Sequence, residues 1–138
     1  MDRRYLLDTN VVLFALVEQD EISHYVRGFL EDYNNLFYVS VVSIQEIALL
    51  VNGGKFHKVW KTAAEVLPAV EATNYQLLPL KREHIITYTS LQHVQGHNDP
   101  FDHIIISQAI SERMTLISSD HKFKDYANQK LTLIFNKR

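Results

Sequence analysis

The sequence predicts an α/β sandwich built around a mostly parallel sheet of five strands, and three observations lead there. Short apolar runs rich in β-branched and aromatic residues alternate with segments of helical period along the whole chain. Parallel neighbours need helical crossovers, which this alternation supplies. Carboxylates stand repeatedly at element ends, and ligands of such sheets bind beyond the carboxyl ends of the strands, where the strand order reverses.

Tyr5-Leu6-Leu7 is the first strand, stopped by the turn and cap formers Asp8-Thr9-Asn10, after which Val11 to Val17 has the hydrophobicity of a helix. Ile22, Val26, Phe29, Leu30 and Tyr33 recur at helical spacing up to Asn34-Asn35, and Phe37 to Val42 reads as strand two. Ser43-Ile44-Gln45-Glu46 has the form of a capping box opening a helix through Val51 that Gly53-Gly54 ends. Val59, Ala63, Val66 and Val70 form the stripe of a fourth helix, Tyr75 to Leu78 a third strand, and Glu83 to about Gln95 a fifth helix. Then comes the most informative stretch, His97-Asn98-Asp99-Pro100-Phe101-Asp102-His103. Asp99 is an N-cap, Pro100 falls at the first helical position, and Asp102 lands at the third, near the positive end of the helix dipole. Thr115 to Ser118 and Leu131 to Phe135 complete the strands.

The 138 residues fit one domain, 1–138, with no repeat or linker. There is no cysteine, which excludes disulfides, thiolate metal sites and a cysteine nucleophile and makes an intracellular, cytoplasmic address the natural expectation. The start, Met1-Asp2-Arg3-Arg4-Tyr5-Leu6-Leu7-Asp8, lacks the apolar region of a signal peptide, and no apolar run reaches the roughly 18 residues of a membrane span. The net charge is −2, so a nucleic-acid ligand would need metal ions or local basic patches.

Asp8 and Asp120 both follow apolar strands, Glu46 and Asp102 both stand in first helical turns, and each has an ordinary explanation as a cap or turn residue. Capping does not explain why strands one and four both finish at an Asp, whereas a hard divalent cation requires clustered carboxylate oxygens. Asp99, occupied as an N-cap, is a supporting residue, as are Asn10 and Ser118, which flank two of the acids and could orient a water or a phosphate. His93, His97, His103 and His121 lack the pairing of a zinc motif and read as ordinary histidines. Lys55, Lys58 and Lys61, Lys81-Arg82, Lys122 and Lys124, and Lys137-Arg138 form mostly a solvated face, from which some could supply phosphate contacts.

Leu7-Asp8-Thr9-Asn10, Ser43 to Glu46, Asp99-Pro100-Phe101-Asp102 with Ile106-Ser107-Gln108-Ala109, and Ser118 to Tyr126 together resemble PIN-domain endoribonucleases, in particular the VapC-like toxins of type II toxin–antitoxin pairs. The resemblance spans almost the whole chain. It implies a three-layer α/β/α sandwich with strand order 3-2-1-4-5 and a Mg²⁺ or Mn²⁺ site at Asp8, Glu46, Asp102 and Asp120. It also implies an RNA substrate cut to 5′-phosphate and 3′-hydroxyl ends, a homodimer, and an antitoxin that blocks the site. One departure is His103, where relatives typically carry Arg; a permanent bidentate cation gives way to a titrating imidazole. The expectation is a metal-dependent endoribonuclease. The alternatives are a catalytically silent PIN-like module that binds RNA or a partner, and a small-molecule phosphohydrolase, although no Asp-x-Asp-x-Thr start is present.

Overall fold

A computed structural model of the chain describes residues 3–138. Met1 and Asp2, the first two residues of the N-terminal stretch, lie outside the described residues. Five strands, β1 (Arg4–Leu7), β2 (Leu36–Ser40), β3 (Gln76–Leu78), β4 (Thr115–Ser118) and β5 (Thr132–Phe135), form one sheet in the order β3-β2-β1-β4-β5, every pairing parallel. Six helices connect them: α1 (Thr9–Val17), α2 (His24–Leu30), α3 (Val41–Asn52), α4 (Val66–Glu71), α5 (Arg82–Ser90) and α6 (Pro100–Glu112). Among the described residues no helix is long and apolar enough to cross a membrane.

Side chains alternate across the pleat, so β1 feeds two cores. Tyr5 and Leu7 point with Phe37, Val39 and Ile117 into the layer covered by α1 to α4, where Val11, Val12, Val26, Ile47 and Val70 are buried. Leu6 and Leu116 point to the opposite layer, against Ile105, Ile106 and Ala109 of α6 and Phe123 and Tyr126. This is the three-layer sandwich. The strand order runs outward from β1 through β2 to β3 and then returns to β4, placing the reversal between β1 and β4.

Four local expectations are corrected. The second helix spans only His24–Leu30, because Ser23 caps it by accepting from the Val26 N–H and a 3₁₀ turn occupies Gln19–Glu21. Val41 and Val42 belong to α3 rather than to strand two, since the Ser40 hydroxyl accepts the Val42 N–H and turns the chain into a helix three residues earlier than a Ser43 cap would. The fourth helix begins not at Val59 but with a 3₁₀ turn at Ala63–Glu65, where the Glu65 carboxylate accepts the N–H groups of Lys61 and Thr62. The fifth helix stops at Ser90, and residues 91–99 form the approach to α6.

Candidate metal centre

Four chain segments meet at the carboxyl end of the sheet. Asp8 leaves β1 and caps α1, accepting the Thr9 N–H at 2.8 Å, while its backbone N–H donates to Ile117 O of β4 at 2.9 Å. The neighbouring strand supplies Ser118, whose buried hydroxyl donates to Asp8 Oδ2 at 2.9 Å and accepts the Asp120 N–H at 3.0 Å. Asp120 Oδ1 in turn accepts the Lys122 N–H, capping the 3₁₀ segment His121–Gln129.

Glu46 arrives from α3. With Ser40 as cap it stands in the second turn, so it is not the capping-box partner of Ser43; its Oε1 accepts from the Thr9 hydroxyl at 2.7 Å, with Ser43 Oγ 2.9 Å from the same hydroxyl. Asp99 and Asp102 open α6 as expected, Asp99 accepting the Phe101 N–H and Pro100 occupying the first helical position. Asn10 is exposed in the first turn of α1.

The acids feel one another. Burial above all, then the negative charge of Asp102, pushes the carboxyl of the buried Asp8 up to about 7, against the opposing hydrogen bonds from Ser118 and Thr9. Burial raises Glu46 too, with Asp99 and Asp102 adding to it, and raises Asp102, which Asp99 and Asp120 push further and His97 pulls back. Among the described residues none of the ion pairs with Lys or Arg involves these acids. A crowded set of oxygen donors whose charge is costly to bury and meets no Lys or Arg among the described residues fits a hard divalent cation.

The sequence reading missed His97. Gly96 adopts φ +86, and the His97 N–H donates to Val94 O, so the chain doubles back and brings a nearly fully buried imidazole over the start of α6. Its Nε2 lies 3.0 Å from Asp102 Oδ2, and the ligating atoms of His97, Asp102 and Asp120 all fall within 4.8 Å of one another. The signal available in the sequence was Gly96, a turn former directly before the histidine in an otherwise polar approach to the helix. His103, which stands where the resemblance called for Arg, is buried and donates through Nε2 to His97 O at 2.7 Å; burial and the neighbouring His93 depress its pKa. It faces the protein interior, where it fixes the His97 loop rather than presenting a cation to a ligand.

A family model described as a PIN domain matches residues 5–129. No curated protein matches the chain. Among solved structures the chain is similar to one in VapBC2 from Rickettsia felis bound to a DNA fragment from their promoter, at 22% identity over 97% of this chain and 99% of that one, with a TM-score of 0.73. It is similar also to a chain of DNA-bound VapBC from Salmonella typhimurium (17% identity, 98% of each chain, TM-score 0.68) and to one of VapBC-5 from Mycobacterium tuberculosis (17%, 96% and 98%, 0.64). At these identities the likeness is one of fold.

Proposed function

The chain belongs to the PIN-domain family, and from that premise we propose that it is a divalent-metal-dependent endoribonuclease, the toxin of a toxin–antitoxin pair, acting in the cytoplasm as a homodimer. What supports this reading is the approach of Asp102 to Asp120 and His97, whose ligating atoms lie within 4.8 Å of one another, with Asp8 and Glu46 near enough to Asp102 for its charge to add to burial in raising both carboxyls, Asp8 to about 7. Toxin–antitoxin complexes among the structures of like fold support the partner assignment.

These four carboxylates would hold Mg²⁺ or Mn²⁺, which when bound supplies Lewis acidity toward a phosphodiester and a water. The chain's own residues preorganise the set. Ser118 and the Thr9 N–H aim the Asp8 oxygens, the Thr9 hydroxyl aims Glu46, and His97 holds one oxygen of Asp102, leaving the other for a cation. No Ser, Cys or His nucleophile is required, and the products carry 5′-phosphate and 3′-hydroxyl ends. A metal-filled acidic pocket also reconciles a chain of net charge −2 with a polyanionic substrate.

Cleavage of a structured RNA, assayed with Mg²⁺, with Mn²⁺ and with EDTA, tests the proposal. Asp8→Asn and Asp102→Asn are expected to abolish it while remaining folded, because the amide keeps the shape and removes the charge. RNA bound but uncut by the parent would indicate a silent module, and turnover of a simple phosphate ester in place of RNA a phosphohydrolase.

A further inference from the structure

Beside the acid cluster, across β4, lies an open cleft of about 630 Å³ lined by Ser119, His121, Lys124, Phe135, Lys137 and Arg138. Phe135 pairs in register with Ser118, the residue that holds Asp8, so the cleft begins one strand from the carboxylates. Its position is built firmly. The buried Asn136 donates from its amide to Ser119 Oγ at 2.8 Å and to Glu21 O at 2.9 Å, accepts the Ser23 N–H at 2.8 Å, and donates its own N–H to Ser118 O at 2.7 Å.

The chemistry of the lining is one-sided. The Lys124 ammonium sits 4.2 Å from the Phe135 ring centroid, and the exposed His121 ring lies 4.4 Å from the same ring. Arg138 pairs with Glu21 at 2.8 Å, but among the described residues neither Lys124 nor Lys137 forms an ion pair, while Arg3 and Lys81 do. Cations left without acidic partners, interleaved with rings and set next to an acidic centre, have the composition of a single-strand nucleic-acid track, in which phosphates meet cations and bases stack on aromatics. We propose that this cleft is a nucleotide-binding subsite, in which Lys124 and Lys137 contact RNA phosphates next to the scissile bond and a base stacks on the exposed His121 ring, which Phe135 backs. The proposal rests on the nuclease reading for the direction in which the strand leaves the acids. An acidic segment of a protein partner is the competing occupant; the paired rings favour the RNA, since carboxylates have no use for a stacking surface.

The test is fluorescence anisotropy with a labelled oligouridylate of about a dozen nucleotides, measured in an Asp8→Asn background across a salt series, alongside cleavage of the structured RNA by the parent chain with Mg²⁺ and with Mn²⁺. Replacing both lysines, Lys124→Gln with Lys137→Gln, is expected to reduce the slope of log K against log salt by about 1.4, roughly 0.7 for each phosphate no longer neutralised. Phe135→Leu keeps an apolar side chain in β5 and should weaken binding about tenfold with the slope unchanged; a melt verifies that it is folded. Lys58→Gln, beyond the far end of α3, serves as the control and should match the background. Unchanged affinity and slope in the lysine pair and in Phe135→Leu, with the parent still cutting, would overturn the subsite and leave the nuclease reading standing. The expected weakening of binding together with a parent that cuts nothing would support the subsite and overturn the nuclease. Polyglutamate measured the same way is the further probe: its binding by the Asp8→Asn protein and loss in the lysine pair, with oligouridylate binding unchanged, would assign the cleft to a protein and overturn the proposal.

Discussion

Asp8→Asn should make the metal-free protein more stable at alkaline pH, although it removes a buried residue from the centre of the site. The Asp8 carboxyl stands at about 7 in the folded chain against 3.8 as a free side chain. A raised carboxyl favours folding fully below the unfolded value and loses that contribution as pH climbs through the folded one. At about 1.4 kcal/mol per pH unit, ionising Asp8 in place costs the folded state roughly 4 kcal/mol by about pH 8, with Glu46 and Asp102 acting in the same direction. Asn carries no charge, still accepts the Thr9 N–H, and turns its amide toward Ser118 Oγ at a cost of about 1 kcal/mol in rearranged hydrogen bonds. The net gain is then about 2 to 3 kcal/mol, or about 10 °C in Tm for a chain of this size. At about pH 5, where Asp8 is already protonated, the two proteins should melt within a few degrees of each other. Mg²⁺ or Mn²⁺ at a thousandfold excess over Kd should reverse the order at alkaline pH, since about 4.1 kcal/mol then accrues to the parent. The assay is a thermal melt of both proteins at the two pH values, with EDTA and with each cation. An Asp8→Asn protein that melts below the parent at both pH values in EDTA, with no crossing on adding metal, would refute the electrostatic argument.

Glu46→Gln should leave helix content unchanged, because Ser40 and not Glu46 serves the α3 cap, and should abolish the cation-induced rise in Tm; circular dichroism and the same melts check both. His97→Phe fills the space among His103, Phe123 and Tyr126 but removes the donor to Asp102, so it should destabilise by about 1 to 3 kcal/mol in urea titration and weaken divalent binding measured by calorimetry. Asn136→Ala strips three side-chain hydrogen bonds from a fully buried position and should cost about 2 to 4 kcal/mol, read from urea unfolding. An antitoxin should insert an Arg or Lys beside Asp8 and Asp120; a complex whose inhibitor stays remote from both, with metal still able to enter, would count against that.

What the sequence determined alone was whatever is decided within a few residues. Asp99-Pro100-Phe101-Asp102 could be placed on the first turn of its helix because a cap, a proline and an N-terminal acid are each governed by local backbone chemistry. The strand ends at Asp8 and Ser118 were legible for the same reason, and with them the alternation that demands a parallel sheet. Local reasoning failed where two serines three apart could each cap a helix: Val41 and Val42 carry strand propensity, and only the hydrogen bond from the Val42 N–H to the Ser40 hydroxyl shows that Ser40 won. Beyond that range the tertiary structure decided. Ser118 meets Asp8 across 110 positions and Thr9 meets Glu46 across 37, because parallel pairing of β1 with β2 and β4 sets their ends side by side. His97 joins the acids through a loop whose course no periodicity records, and Lys124 meets Phe135 only once β5 has paired with β4. Each of these contacts is made when loop closure over a long separation is repaid by a buried sheet and core, a balance the whole chain strikes and no short segment can.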